Sequence, residues 1–88
     1  MTVTVHIPSP LRSYTKQQAE VNVDGSSLEE VLLALDSCYP GFRFRIITEQ
    51  DTVRKHIKIF VNDELVRSLD YRPRPTDQIH IICALSGG

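Results

Sequence analysis

Glycine and cysteine are scarce in this chain: four glycines and two cysteines among 88 residues. The glycines are Gly25, Gly41, Gly87 and Gly88. None of them belongs to a glycine-rich loop able to cradle a phosphate. Cys38 and Cys83 form no Cys-x-x-Cys pair and join no His/Cys cluster of metal spacing. His6, His56 and His80 are dispersed, no motif sets a nucleophile beside a base, and the carboxylates are scattered. The sequence gives no support for catalysis, a metal or a bound cofactor within this chain. No apolar run approaches the roughly 18–20 residues of a membrane span, and no signal peptide precedes the first strand-like run. The expectation is one small domain in a reducing cytoplasm, with both thiols free and packed as small buried hydrophobes.

A strong charge of either sign is also missing. The net charge is −1, which argues against a general nucleic-acid binder. The small total hides an asymmetry: residues 1–42 carry a net −3 and residues 43–88 a net +2. One reading is a solvated surface with scattered charges. The other is a basic flank that steers the C-terminal half onto an acidic partner.

What is present is clear hydrophobic periodicity. Val3, Val5 and Ile7 alternate with Thr2, Thr4 and His6, which predicts a strand ended by Pro8 and Pro10. Ala19, Val21 and Val23 alternate again, and Asp24-Gly25 turns the chain. Ser27 followed by Glu30 has the spacing of a capping box. Leu28, Val31, Leu32, Leu35 and Tyr39 then make a helical stripe, stopped by Pro40-Gly41. In residues 42–56, Phe42, Phe44 and Ile46 alternate like a strand, yet Phe42 and Ile46 also suit one helical turn; the expectation is a short helix followed by a polar loop. Ile57, Ile59 and Val61 predict a strand, Asn62-Asp63 a tight turn, and Leu65-Val66-Arg67 a return strand. Residues 71–76 hold two prolines and read as an irregular connection. Ile79 to Cys83, apolar on both faces at Ile81 and Ile82, suits a central strand.

A hairpin, a helix that crosses back, and three more strands define a two-layer α+β domain of the ubiquitin-like β-grasp kind: a mixed sheet of about five strands on one main helix. Residues 1–84 are the expected domain and residues 85–88 a C-terminal tail. If the first and last strands pair, His6 and His80 sit side by side on the outer sheet face. Phe60 and Ile82 should face outward too, and with Leu85 would form an apolar patch suited to a partner. In the alternative, residues 40–56 fold over them. Arg67, Arg72 and Arg74 are candidates for a charged rim.

The tail Leu85-Ser86-Gly87-Gly88 directs attention to its end. Two glycines remove all side chains near the terminal carboxylate and suit passage through a narrow channel. A carboxylate is a poor acyl donor; adenylation makes it a good one, and a sulfur nucleophile can then leave a thiocarboxylate. The ATP site must belong to a partner.

Here the chain resembles the MoaD/ThiS superfamily of ubiquitin-like sulfur carriers, most closely the branch that includes the cysteine-biosynthesis carrier. The residues carrying the resemblance are Ile7-Pro8-Ser9-Pro10-Leu11-Arg12, Tyr39-Pro40-Gly41, Phe60 to Arg67, and Ala84 to Gly88. The resemblance implies a protein co-substrate, not an enzyme. Its Gly88 would be adenylated by an E1-like ATP-dependent enzyme, and the Gly88 thiocarboxylate would donate sulfur on a separate synthase in biosynthesis of a cysteine- or homocysteine-type amino acid, where a pyridoxal-phosphate-dependent synthase fits, or of another sulfur-containing metabolite. Ser86 stands where small apolar residues are common, and Cys83 where proline is expected. The start lacks the Phe-rich segment usual in molybdopterin-synthase small subunits. Two alternatives stay open: a modifier conjugated to lysines through Gly88, and a molybdopterin-synthase small subunit. A non-covalent β-grasp adaptor with an incidental tail is a third.

Overall fold

The structure is a computed structural model that describes residues 2–84. Its elements are β1 (Thr2–His6), a 3-10 turn at Ser9–Leu11, β2 (Glu20–Asp24), α1 (Leu28–Cys38), α2 (Phe42–Ile46), β3 (Ile57–Val61), β4 (Glu64–Val66) and β5 (Gln78–Cys83). The strands form one mixed sheet in the order β2-β1-β5-β3-β4. β1 and β5 run parallel, and every other neighbouring pair is antiparallel. The run that is apolar on both faces, β5, lies at the centre of the sheet as its pattern requires.

The helix forms where its cap and stripe say it should. Ser27 Oγ accepts from the Glu30 backbone N–H at 3.2 Å. The Glu30 carboxylate reaches one residue further back than a standard capping box, accepting from Ser26 N at 2.9 Å and Ser26 Oγ at 2.8 Å. These bonds to Ser26, more than the nearby Arg72 charge, hold the Glu30 carboxyl below its ordinary pKa. Leu28, Val31, Leu32 and Leu35 are fully buried against the inward sheet residues Val3, Val5, Ile57, Ile59, Val61, Ile79 and Ile81. Tyr39, the fifth residue of the stripe, is only half-buried at the C-cap.

Residues 42–56 do form a short helix and a loop. Phe42, Ile46 and Ile47 enter the core beneath α1, so this segment thickens the helical layer and does not cover the other sheet face. Asp36 Oδ1 fastens the connection by accepting from Gly41 N and Arg43 N, each at 3.1 Å. Arg43 then links the layer, reaching Glu29 at 2.7 Å and Asp51 at 3.4 Å. The Glu29 carboxylate raises the Arg43 pKa above its ordinary value.

The turn after β3 is pinned to the start of β5. Asn62 has φ 57°, a left-handed conformation that asparagine tolerates. Its side chain accepts from Gln78 N and donates to Asp77 Oδ1, both at 3.0 Å. Asp77 Oδ2 also accepts from Arg74 N at 2.8 Å. That backbone bond first, and the Asn62 bond second, hold the Asp77 carboxyl below its ordinary pKa.

One expectation fails on the helix. Cys38 is exposed, not buried. It closes α1 at the border of the apolar stripe, where Tyr39 takes the inward position and the chain turns away. Cys83 is half-buried and packs on the core from the end of β5. Both thiols are free.

Candidate functional site

Among the described residues, one face of the sheet is covered by the helices and the other is open. On the open face a single row of side chains crosses all five strands. Register pairs Glu20 with His6, His6 with His80, His80 with Phe60, and Phe60 with Leu65. Strand alternation explains the row: the flanking residues of each strand point inward to α1, so these point out. His6 and His80 stack with ring centroids 4.3 Å apart and an interplanar angle of 9°. His6 Nε2 lies 2.8 Å from Gln78 Oε1, and His6 Nδ1 3.7 Å from Glu20 Oε1. Their pairing was legible from the strand pattern. Among the described residues no group of three or more metal-ligating side chains converges here or elsewhere.

Ile82 is the next outward residue of β5 and lies opposite Lys58 on β3. It is 43% exposed, and Leu65 is 41% exposed. Phe60 is half-buried, held between the His80 and Leu65 rows. A shallow depression joins Phe60, His80 and Ile82 to the Asn62-Asp63 turn. Phe60 and Ile82 therefore share one uncovered patch. Leu65 belongs to it as well: the sequence pattern marks it only as part of a return strand, and the β3–β4 register sets it opposite Phe60.

Arg67 is placed differently. It is exposed and lines a separate cleft with Arg54, Lys55 and Lys58, beside the patch and on the Ile57 side of it. The expected three-arginine rim does not form. Arg72 stands near Glu30 at the start of α1, and Arg74 is tied to Asp77 where β5 begins. Both belong to the opposite end of the sheet from the exit of β5, because the connection carrying them returns from α1 to the start of that strand.

The exit itself is well defined. Cys83 pairs with Ile57, and Ala84 N donates to His56 O at 2.7 Å. The tail residues Leu85, Ser86, Gly87 and Gly88 lie outside the described residues. Their attachment point is thus at the end of the central strand, next to Arg54–Lys58 and within one strand of the Phe60–Ile82 patch.

A five-stranded mixed sheet grasping one main helix, with an open face beside the exit of its central strand, is a ubiquitin-like β-grasp domain. The ThiS family model matches residues 5–88, and the chain belongs to that family. It is 34% identical to the sulfur carrier protein CysO of Mycobacterium tuberculosis, over an alignment of 93 residues that covers 100% of both chains. A chain of the Amycolatopsis orientalis BexX/CysO complex superposes with a TM-score of 0.90 at 30% identity, covering 98% of this chain and 99% of that one. Crystalline CysO of M. tuberculosis superposes with a TM-score of 0.88 at 31% identity, over 94% of this chain and 99% of the other.

Proposed function

We propose that this protein is a sulfur carrier for biosynthesis of a cysteine- or homocysteine-type amino acid, working through the carboxylate of Gly88. The observation that carries the reading is the extent of the similarity. The family match runs to residue 88 and the alignment to the CysO sulfur carrier is end to end, so both take in the terminal diglycine.

The chemistry follows from the carboxylate. One carboxylate oxygen attacks the α-phosphate of ATP on an E1-like enzyme, and pyrophosphate leaves. Hydrosulfide then attacks the acyl carbon, AMP leaves, and a thiocarboxylate remains. That thiocarboxylate delivers its sulfur to an acceptor on a separate synthase, of the pyridoxal-phosphate type for an amino-acid product. In this reading the chain is a protein co-substrate, and the cytoplasm, where thiols stay reduced, is its compartment.

The geometry favours recognition through the domain body. Four residues beyond Ala84 span at most about 14 Å when fully extended. An enzyme holding the Gly88 carboxylate in its nucleotide site must therefore also touch the sheet end from which the tail leaves. Ile82 is exposed near that end, with Phe60 and Leu65 further along the same open face, and the Amycolatopsis orientalis CysO is seen in complex with BexX.

Intact-mass measurement of the protein isolated from its host tests the reading. A species about 16 Da heavier, from oxygen exchanged for sulfur and lost on alkylation at the terminus, is the expected result. Deleting Gly87-Gly88 should abolish it together with function. Isopeptide-linked targets without any thiocarboxylate would assign the chain as a modifier. Full function without the diglycine would assign it as a non-covalent adaptor.

A further inference from the structure

The cleft that receives Arg67 has an unusual lining. It encloses about 140 Å³ between the end of the 48–56 loop, the start of β3 and the end of β4. Four of its lining residues are cationic (Arg54, Lys55, Lys58 and Arg67), and none is acidic. Among the described residues, none of these four joins an ion pair, whereas Arg43 has Glu29 and Asp51. Arg54 is held in place without a carboxylate: its Nε donates to Phe44 O at 2.7 Å, and its guanidinium lies 4.6 Å from the centre of the exposed Phe44 ring. Lys55, Lys58 and Arg67 are exposed.

Like charges gathered on one edge repel, and strand pairs normally avoid that arrangement. Here the surplus is concentrated, while the whole chain is slightly acidic at −1. Its position is specific as well. His56, adjacent to Lys55, accepts the bond from Ala84 N, and Ile57 pairs with Cys83. The cationic cleft therefore flanks the point where the tail leaves the sheet, and Lys58 borders Ile82 of the apolar patch.

We propose that this cleft receives an acidic segment of the adenylating enzyme, placed beside the entrance to that enzyme's nucleotide site. The inference rests on the sulfur-carrier reading and deepens it: the apolar patch supplies contact area, and the cleft supplies steering and the register in which the tail enters. Opposite charges would speed encounter, and with no ion pair among the described residues Lys55, Lys58 and Arg67 are available to the partner beside the anchored Arg54. The arrangement suits an acidic protein surface better than a nucleic acid, since the cations occupy one small cleft and form no extended track.

The test uses the full-length chain and the host's adenylating enzyme, purified by its ATP–pyrophosphate exchange in the presence of the wild-type protein. Lys58→Glu/Arg67→Glu should lower kcat/KM for exchange about tenfold or more, with kcat at saturation nearly unchanged. Lys58→Gln/Arg67→Gln should fall between it and wild type. Arg72→Glu/Arg74→Glu, with the same charge change at the opposite end of the sheet, should match wild type. The wild-type rate should fall with added salt, and the Glu variant's fall should be shallower. In a second measurement, an octaglutamate peptide should shift the backbone amide resonances of residues 54–58 and 65–67 at low salt. Equal exchange by wild type and the Glu variant, with adenylation intact, would overturn the cleft and leave the carrier reading standing. Absence of any enzyme supporting exchange would overturn both. Tight binding of a single-stranded oligonucleotide, lost in the Glu variant while octaglutamate causes no shift, would reassign the cleft to nucleic acid.

Discussion

The two faces of one sheet are built from the same strands and obey opposite requirements. On the covered face Val5, Ile59 and Ile79 are fully buried beneath α1. On the open face the residues between them, His6, Phe60 and His80, stay half-buried, and Ile82 and Leu65 remain largely exposed. The period of two assigns each side chain to one role or the other. The difference teaches that stability here is settled by the helix-facing residues, which leaves the open face free to carry the apolar side chains that the proposed carrier would offer a partner.

That contrast is broken most severely from the covered side. Leu32→Ala removes a side chain with 0% exposure at the middle of the helix stripe. It should cost about 3–4 kcal/mol, read from the denaturant midpoint at unchanged slope. A loss under about 1 kcal/mol would mean that the layer repacks and that the two faces differ less than their burial implies. Gly25→Ala comes next. A Cβ there would lie 2.7 Å from Val31 N and 2.8 Å from Val31 Cγ2, so the turn between β2 and α1 must shift. The expected cost is about 1–3 kcal/mol by the same measurement.

Most of this was legible beforehand, and the exceptions have physical causes. Strand alternation and the stripe from Leu28 to Leu35 located every strand and the main helix because burial selects strongly at those positions. The His6–His80 pair followed from the same parity. Cys38 is exposed where its place in the chain suggests burial, because a residue at the border of a stripe is decided by how the helix ends, and Tyr39 takes the inward place. The clustering of Arg67 with Arg54, Lys55 and Lys58, and the dispersal of Arg72 and Arg74, depend on which end of the sheet each loop returns to. Local periodicity carries no signal for that. Gly88 stood out by composition, through a diglycine after the last strand, and its role remains the proposal argued above.

Asp77 offers a smaller perturbation, at the end of the sheet away from the tail. Its carboxylate accepts from Arg74 N and Asn62 Nδ2, and its folded pKa is depressed. A depressed acid contributes stability that is full above its unfolded pKa, about 3.9, and is lost as the pH falls through the lower folded value. Asp77→Ala should therefore destabilise the protein by about 1–2 kcal/mol at neutral pH and by progressively less in acid. Denaturant midpoints measured from neutral pH down to strong acid check this. A variant difference that stays constant with pH would show that the side chain acts by packing alone.

The smallest effect on stability should come with a large effect on activity. Ile82 lies on the open face, 43% exposed, opposite Lys58 and one residue from the inward Ile81. Ile82→Ala removes apolar surface that water already reaches, so the unfolding free energy should change by about 0.5 kcal/mol or less. The same change deletes a central member of the uncovered patch, and an interface anchor of this kind typically contributes about 1–2 kcal/mol to association. Activation of Gly88 should then show a several-fold higher KM, with kcat and the unfolding midpoint unchanged. Ile81→Ala, its inward neighbour, should reverse the pattern: a large stability loss, and a KM close to wild type for the molecules that remain folded. If Ile82→Ala left KM unchanged while Leu32→Ala and Ile81→Ala behaved as expected, the open face would lose its assignment as the recognition surface. The structural contrast between the two faces would still stand, because it rests on burial alone.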